Sequence, residues 1–200
     1  MARVGIFGGS FDPIHPGHLA VAHAALKQLD LERVIIVPAA TSPFKAGAVP
    51  RADSTHRLAM IELVVKNIPQ FSVSSRELEQ GGISYTVDTI RYLMKEIPGS
   101  EFFLIMGQDA YDGFDRWKES ALIRQWVKIV VAPRHSYLAS ACSEKEGFQK
   151  GVVYLSMPLY DDSSTQLRLR GADRGIVDSG MIQDVQDYIL KHGLYRQERE

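Results

Sequence analysis

His15 and His18 stand three residues apart with Pro16 and Gly17 between them, and Gly8-Gly9-Ser10 lies just upstream. Imidazoles donate hydrogen bonds and take up charge near neutral pH. A glycine pair lets the backbone turn sharply and lets a ligand approach with no Cβ in its way. A helix opening at the histidines adds unpaired N–H groups and the positive end of its dipole. These types at this spacing suit a polyphosphate, and two histidines three apart converge on one anion if the backbone turns helical there. A second phosphate element runs from Ser163 through Ser164 and Thr165 to Arg168. Hydroxyls at a helix start and an arginine together hold phosphates. By itself this stretch reads as an ordinary capped helix with a solvent-facing arginine. Neither a carboxylate dyad nor an activated serine is visible, so positioning and charge neutralisation are the expected chemistry.

The elements that must position these residues are short continuous apolar runs alternating with helical periodicity. Arg3–Phe7, Arg33–Val37, Phe71–Ser74, Glu101–Met106, Val127–Ala132 and Val152–Ser156 read as strands. Leu19–Leu29, a segment from Asp53 to about Asn67, one from Ser84 to Pro98 and Met181–His192 read as helices. Glu77–Gly82 reads as a polar turn, and 135–150 as a surface excursion. The alternation predicts an α/β fold, one doubly wound, mostly parallel sheet with helices on both faces, over a single domain spanning 1–200. In such sheets ligands sit at the carboxyl ends of strands near the switch in strand order. Gly8-Gly9, Pro38–Lys45, Gly107–Asp109 and Ser163–Arg168 all fall at such ends, and that agreement weighs more than any one motif.

The chain has 200 residues and a formal net charge of -1, with its basic residues dispersed. No field for nucleic acid and no polybasic run for an anionic membrane is present. The single cysteine, Cys142, has no disulfide partner and no zinc-type cluster around it. No apolar leader segment opens the chain and no run approaches 18 apolar residues, which predicts a soluble, cytoplasmic protein.

The string GGSFDPIHPGH resembles the nucleotidyltransferases with a His/Thr-x-Gly-His signature, and more narrowly the nicotinate (nicotinamide) mononucleotide adenylyltransferases. SSTQLR resembles the family's second phosphate motif, though Asp162 stands where isoleucine is usual. The stretch ending Ser84-Tyr85-Thr86-Val87-Asp88-Thr89 resembles the family's pyridine-binding segment. The similarity runs from Arg3 to about Tyr195, departing at Ser179–Ile182. It implies a Rossmann-like nucleotidyltransferase fold, with catalytic roles for His15, His18 and Arg168. It further implies ATP binding by Gly8, Gly9, Ser10, Phe11, Gly17, Gly107, Asp109, Ser163, Ser164 and Thr165. Lys45, Tyr85, Thr86, Trp117 and Arg134 are implied for the mononucleotide, although Trp117 reads equally well as a core residue. Mg²⁺ is expected to arrive on the ATP phosphates, with no metal held by the protein alone. The expected reaction moves AMP from ATP to nicotinate mononucleotide, giving deamido-NAD and pyrophosphate. A preferred or shared amide acceptor, a phosphopantetheine acceptor, and a nucleotide-binding module without catalysis stand as alternatives. A homo-oligomer is left open.

Overall fold

A computed structural model describes residues 1–43, 50–133, 151–158, 164–168 and 181–195. Six strands form one sheet: β1 (Arg3–Gly9), β2 (Arg33–Pro38), β3 (Phe71–Val73), β4 (Glu101–Gly107), β5 (Lys128–Ala132) and β6 (Val152–Tyr154). Their order is β3-β2-β1-β4-β5-β6, and every pairing is parallel. β1 therefore lies centrally, and the strand order reverses between β1 and β4. That reversal opens a crevice at their carboxyl ends.

The helices are α1 (Pro16–Gln28), α2 (Ser54–Val65), α3 (Arg76–Gln80), α4 (Thr86–Glu96), α5 (Gln108–Asp112), α6 (Ser120–Trp126), α7 (164–168) and α8 (Gln183–His192). A 3₁₀ turn covers Phe114–Arg116. Period-2 side-chain alternation along the strands feeds two cores. Phe7, Val34, Ile36, Phe103 and Ile105 face α1, α2 and α8 through Ala22, Ala25, Met60, Ile61, Val185 and Ile189. Val4, Ile6, Ile35, Leu104 and Met106 face α4 and α6 through Val87, Ile90, Leu93 and Ile123. Both faces of the sheet are thus covered, as strands without polar alternation require.

One local expectation changes. Arg76–Gln80 is a short helix rather than part of a polar turn, and the turn is confined to Gly81-Gly82, both at positive φ. Within the expected start at Ser84, the N-cap of α4 is Tyr85. The Ser84 hydroxyl instead accepts the Ala40 N–H at 2.9 Å, tying the turn to the end of β2. No helix among the described residues is long and apolar enough to cross a membrane.

Candidate active site

β1 ends in Gly8-Gly9, flanked by Val37-Pro38 of β2. A Cβ on Gly8 would meet nothing within 4 Å, so packing does not demand glycine there. Gly8 lines the cleft, and a side chain would take up ligand space. A Cβ on Gly9 would lie 3.0 Å from the Phe11 ring, so a larger residue there would require that ring to give way. Phe11 itself has φ 45, uncommon for a non-glycine residue and frequent at functional loops. Its ring is buried edge-on against Phe7 and against His18, at 5.5 and 4.9 Å between centroids. Phe11 therefore supports His18 from the core, and its ring is not available to a nucleotide.

The turn after Pro13 brings the two histidines together. His15 is the N-cap of α1, Pro16 and Gly17 open the helix, and the ring centroids of His15 and His18 stand 3.8 Å apart. The His15 backbone N–H donates to Nδ1 of His18 at 3.2 Å. A ring nitrogen that accepts carries no proton, so the neutral His18 ring holds its proton on Nε2 and has a donor to offer.

Beneath this loop lies a polar network that the sequence reading missed. The Asp12 carboxylate is buried and accepts the backbone N–H groups of Arg51 and Ala52 at 2.9 and 3.1 Å and the Tyr195 hydroxyl at 2.7 Å. Arg168 Nη1 donates to the Asp12 carbonyl at 2.6 Å and stands 3.6 Å from the carboxylate, while Nη2 donates to the Thr165 hydroxyl at 3.1 Å. Ser164 donates through Oγ to the Pro13 carbonyl at 3.0 Å, so α7 is clamped onto the histidine loop. Arg57, 2% exposed, donates from Nη1 to the carbonyls of Ser10 and Ala39, both at 2.8 Å, and from Nε to Ala52 at 3.3 Å. Burial pulls its pKa down, and the charge of Asp12 opposes that pull. Burial and the Asp12 carboxylate push the Tyr195 hydroxyl far up, so it remains a donor at any working pH.

On the other side of Gly8–Ser10 is a cavity of about 240 Å³. The ends of β1, β2 and β4 form its floor, and Ser42, Pro43, Glu77, Tyr85, Thr86, Thr89, Gly107, Trp117 and Lys118 line it. Trp117 packs on Phe114 at 5.2 Å, so it is both a core contact and a cavity wall. The first-turn N–H groups of α4 open at Tyr85-Thr86, beside this space. Glu77 accepts the Thr89 hydroxyl and a hydrogen bond from the Ser84 side chain, yet burial raises its pKa from 4.5. Lys118 Nζ sits 4.5 Å from the Tyr85 ring centroid and 3.1 Å from Asp88.

The structure thus gathers Gly8, Gly9, Ser10, His15, Gly17, His18, Ser164, Thr165 and Arg168 on one side of the crevice. Gly107, Tyr85, Thr86 and Trp117 lie on the other. Asp109 is exposed in α5, beyond the cavity lining. Lys45, Arg134 and Ser163 lie outside the described residues.

A family model described as cytidylyltransferase-like matches residues 6–170. A Thermus thermophilus protein named probable nicotinate-nucleotide adenylyltransferase is 41% identical over 97% of this chain and 100% of its own length. The chain belongs to the nicotinate-nucleotide adenylyltransferase family. A like-named Dictyoglomus thermophilum adenylyltransferase is 36% identical over 96% of this chain and 99% of its own. Among solved structures, a Plasmodium falciparum nicotinic acid mononucleotide adenylyltransferase complexed with NaAD superposes with a TM-score of 0.76. It covers 98% of each chain at 17% identity, a likeness of fold. The resemblance carried by the glycine–histidine string is borne out. Within this adenylyltransferase chain, Arg57 left a legible trace, a cation on the inward stripe Arg57, Met60, Ile61, Val64 of α2. Tyr195 left none.

Proposed function

We propose that this protein transfers AMP from ATP to nicotinate mononucleotide. The observation that carries the reading is one crevice holding a phosphate loop with two histidines and an arginine, continuous with an aromatic-walled cavity, in a chain of this family. A phosphate monoester oxygen of the mononucleotide attacks the α-phosphorus of ATP. The bond from that phosphorus to the bridging oxygen breaks, and pyrophosphate leaves with the electron pair. The attacking monoester has a second pKa of about 6, so it is largely dianionic at pH 7 and needs no general base. The bare backbone of Gly8 admits the triphosphate. His15, His18 and Arg168 donate to its oxygens and offset charge that develops in the transition state. ATP would enter as its Mg²⁺ complex, the metal offsetting part of the phosphate charge.

Tyr85, Thr86 and Trp117 receive the pyridine, with the α4 N-terminus favouring an anionic substituent. From sequence, Lys45 and Arg134 join the mononucleotide side and Ser163 joins the ATP phosphates. On this reading the enzyme works in the cytoplasm, as one domain spanning 1–200. The test is pyrophosphate release with ATP and Mg²⁺, with nicotinate mononucleotide and its amide compared side by side. A higher kcat/KM for the acid is expected. Equal or amide-favouring rates would move the substrate assignment, and no release with either would end the catalytic reading.

A further inference from the structure

We infer that Tyr195, on the turn after α8, is a positioning residue of the phosphate site, acting through Asp12 on Arg168. The inference rests on the reading of Arg168 as a phosphate ligand. Tyr195 and Asp12 are 183 residues apart, yet the tyrosine hydroxyl donates to Oδ1 of Asp12 at 2.7 Å in a buried setting. Ala52 donates to the same oxygen, and Arg51 to Oδ2. The carboxylate is thereby turned so that Oδ2 stands 3.6 Å from Arg168 Nη1, while that nitrogen donates to the Asp12 main-chain carbonyl at 2.6 Å. A guanidinium is a rigid plane, so fixing Nη1 on Asp12 and Nη2 on Thr165 fixes the orientation of the whole group.

The strength of the hold matters as much as its direction. Each donor that the carboxylate receives elsewhere lessens its demand on Arg168. Without the tyrosine hydroxyl, a buried Asp12 oxygen loses a partner and competes harder for the guanidinium, drawing it from an incoming phosphate. Tyr195 is held for this contact at φ 62, a backbone state that bulky residues seldom adopt. Its ring packs in the core that contains Phe11 and Ile14, the residues on either side of Asp12-Pro13.

The experiment uses the full chain carrying Tyr195→Phe, which keeps the ring. Binding of inorganic tripolyphosphate is followed by calorimetry, alongside kcat and both KM values in pyrophosphate release. Tripolyphosphate affinity should fall roughly 5-fold and the KM for ATP rise to match, with the mononucleotide KM unchanged. In an Arg168→Ala background the same substitution should have no further effect on tripolyphosphate binding. Unchanged affinity in Tyr195→Phe would overturn the inference. So would a loss that persists undiminished without Arg168, the mark of a merely loosened fold. Should Tyr195→Phe fail to fold, Asp12→Asn, which removes the carboxylate through which the tyrosine acts, should change tripolyphosphate affinity only where Arg168 is present, and no change, or a change that persists without Arg168, would overturn the inference. Wild-type protein that binds tripolyphosphate but releases no pyrophosphate would refute the adenylyl-transfer reading while the binding arm still decides this one.

Discussion

Each half of the crevice holds one carboxylate that folding takes out of water, Asp12 fully and Glu77 in part, and the two are satisfied differently. Asp12, under the phosphate loop, receives two backbone N–H groups, a tyrosine hydroxyl and an arginine, with a second buried arginine close by. Glu77, in the wall of the cavity, is met by the hydroxyls of Thr89 and Ser84, and burial raises its pKa. Neutral hydroxyls compensate a desolvated charge less completely than cations and amides do. The phosphate half is thus held by a carboxylate that cations and amides meet. The pyridine half is held by a group whose charge depends on its surroundings.

Arg57→Met gives the largest expected break. It strips donors from the carbonyls of Ser10, Ala39 and Ala52 and takes a cation from beside Asp12. Losing one member of a buried ionic network should cost about 3 kcal/mol or more, visible as a lowered urea midpoint. His18→Ala comes next. It leaves the fold and lowers kcat by on the order of 10²-fold, because its loss falls on transition-state charge. Turnover close to wild type in a folded His18→Ala protein would remove that role. Glu77→Gln is the mildest and sharpens the contrast. Its effect on stability is expected at about 1 kcal/mol and should vary with pH. The folded pKa lies above the unfolded one, so stability from this group is full below about 4.5. It is lost as pH rises through the raised folded value. The amide does not titrate. The wild-type advantage over Glu77→Gln should therefore be greatest in acid and shrink towards neutrality, read from urea midpoints at several pH values. A constant difference would mean that Glu77 keeps its charge across that range.

What was legible in the sequence follows from how local each signal is. The six strands declared themselves as apolar runs, with ends within two residues of those found. The glycine turn and the histidine pair fell where the strand order reverses. Glu77 was misplaced because a five-residue helix ending at two glycines carries the composition of a polar turn. Asp12 sat inside the recognised string without a role, since its partners lie at Arg51, Ala52, Arg168 and Tyr195 and no local pattern joins them. Phe11 looked like a ligand residue by its neighbourhood, and the packing of its ring against His18 was not legible there.

The central place of β1 also governs how the molecule is made. Val4–Phe7 is synthesised long before β4, its partner on one side, which begins only at Glu101. Until that segment leaves the ribosome, β1 carries an unpaired apolar edge and the crevice has a single wall. Pairing across so long a loop is slow, and edges of this kind attract other chains. Production of the protein should therefore be limited less by its final stability than by how well the nascent β1–β2 unit is shielded while the middle of the chain is still being added.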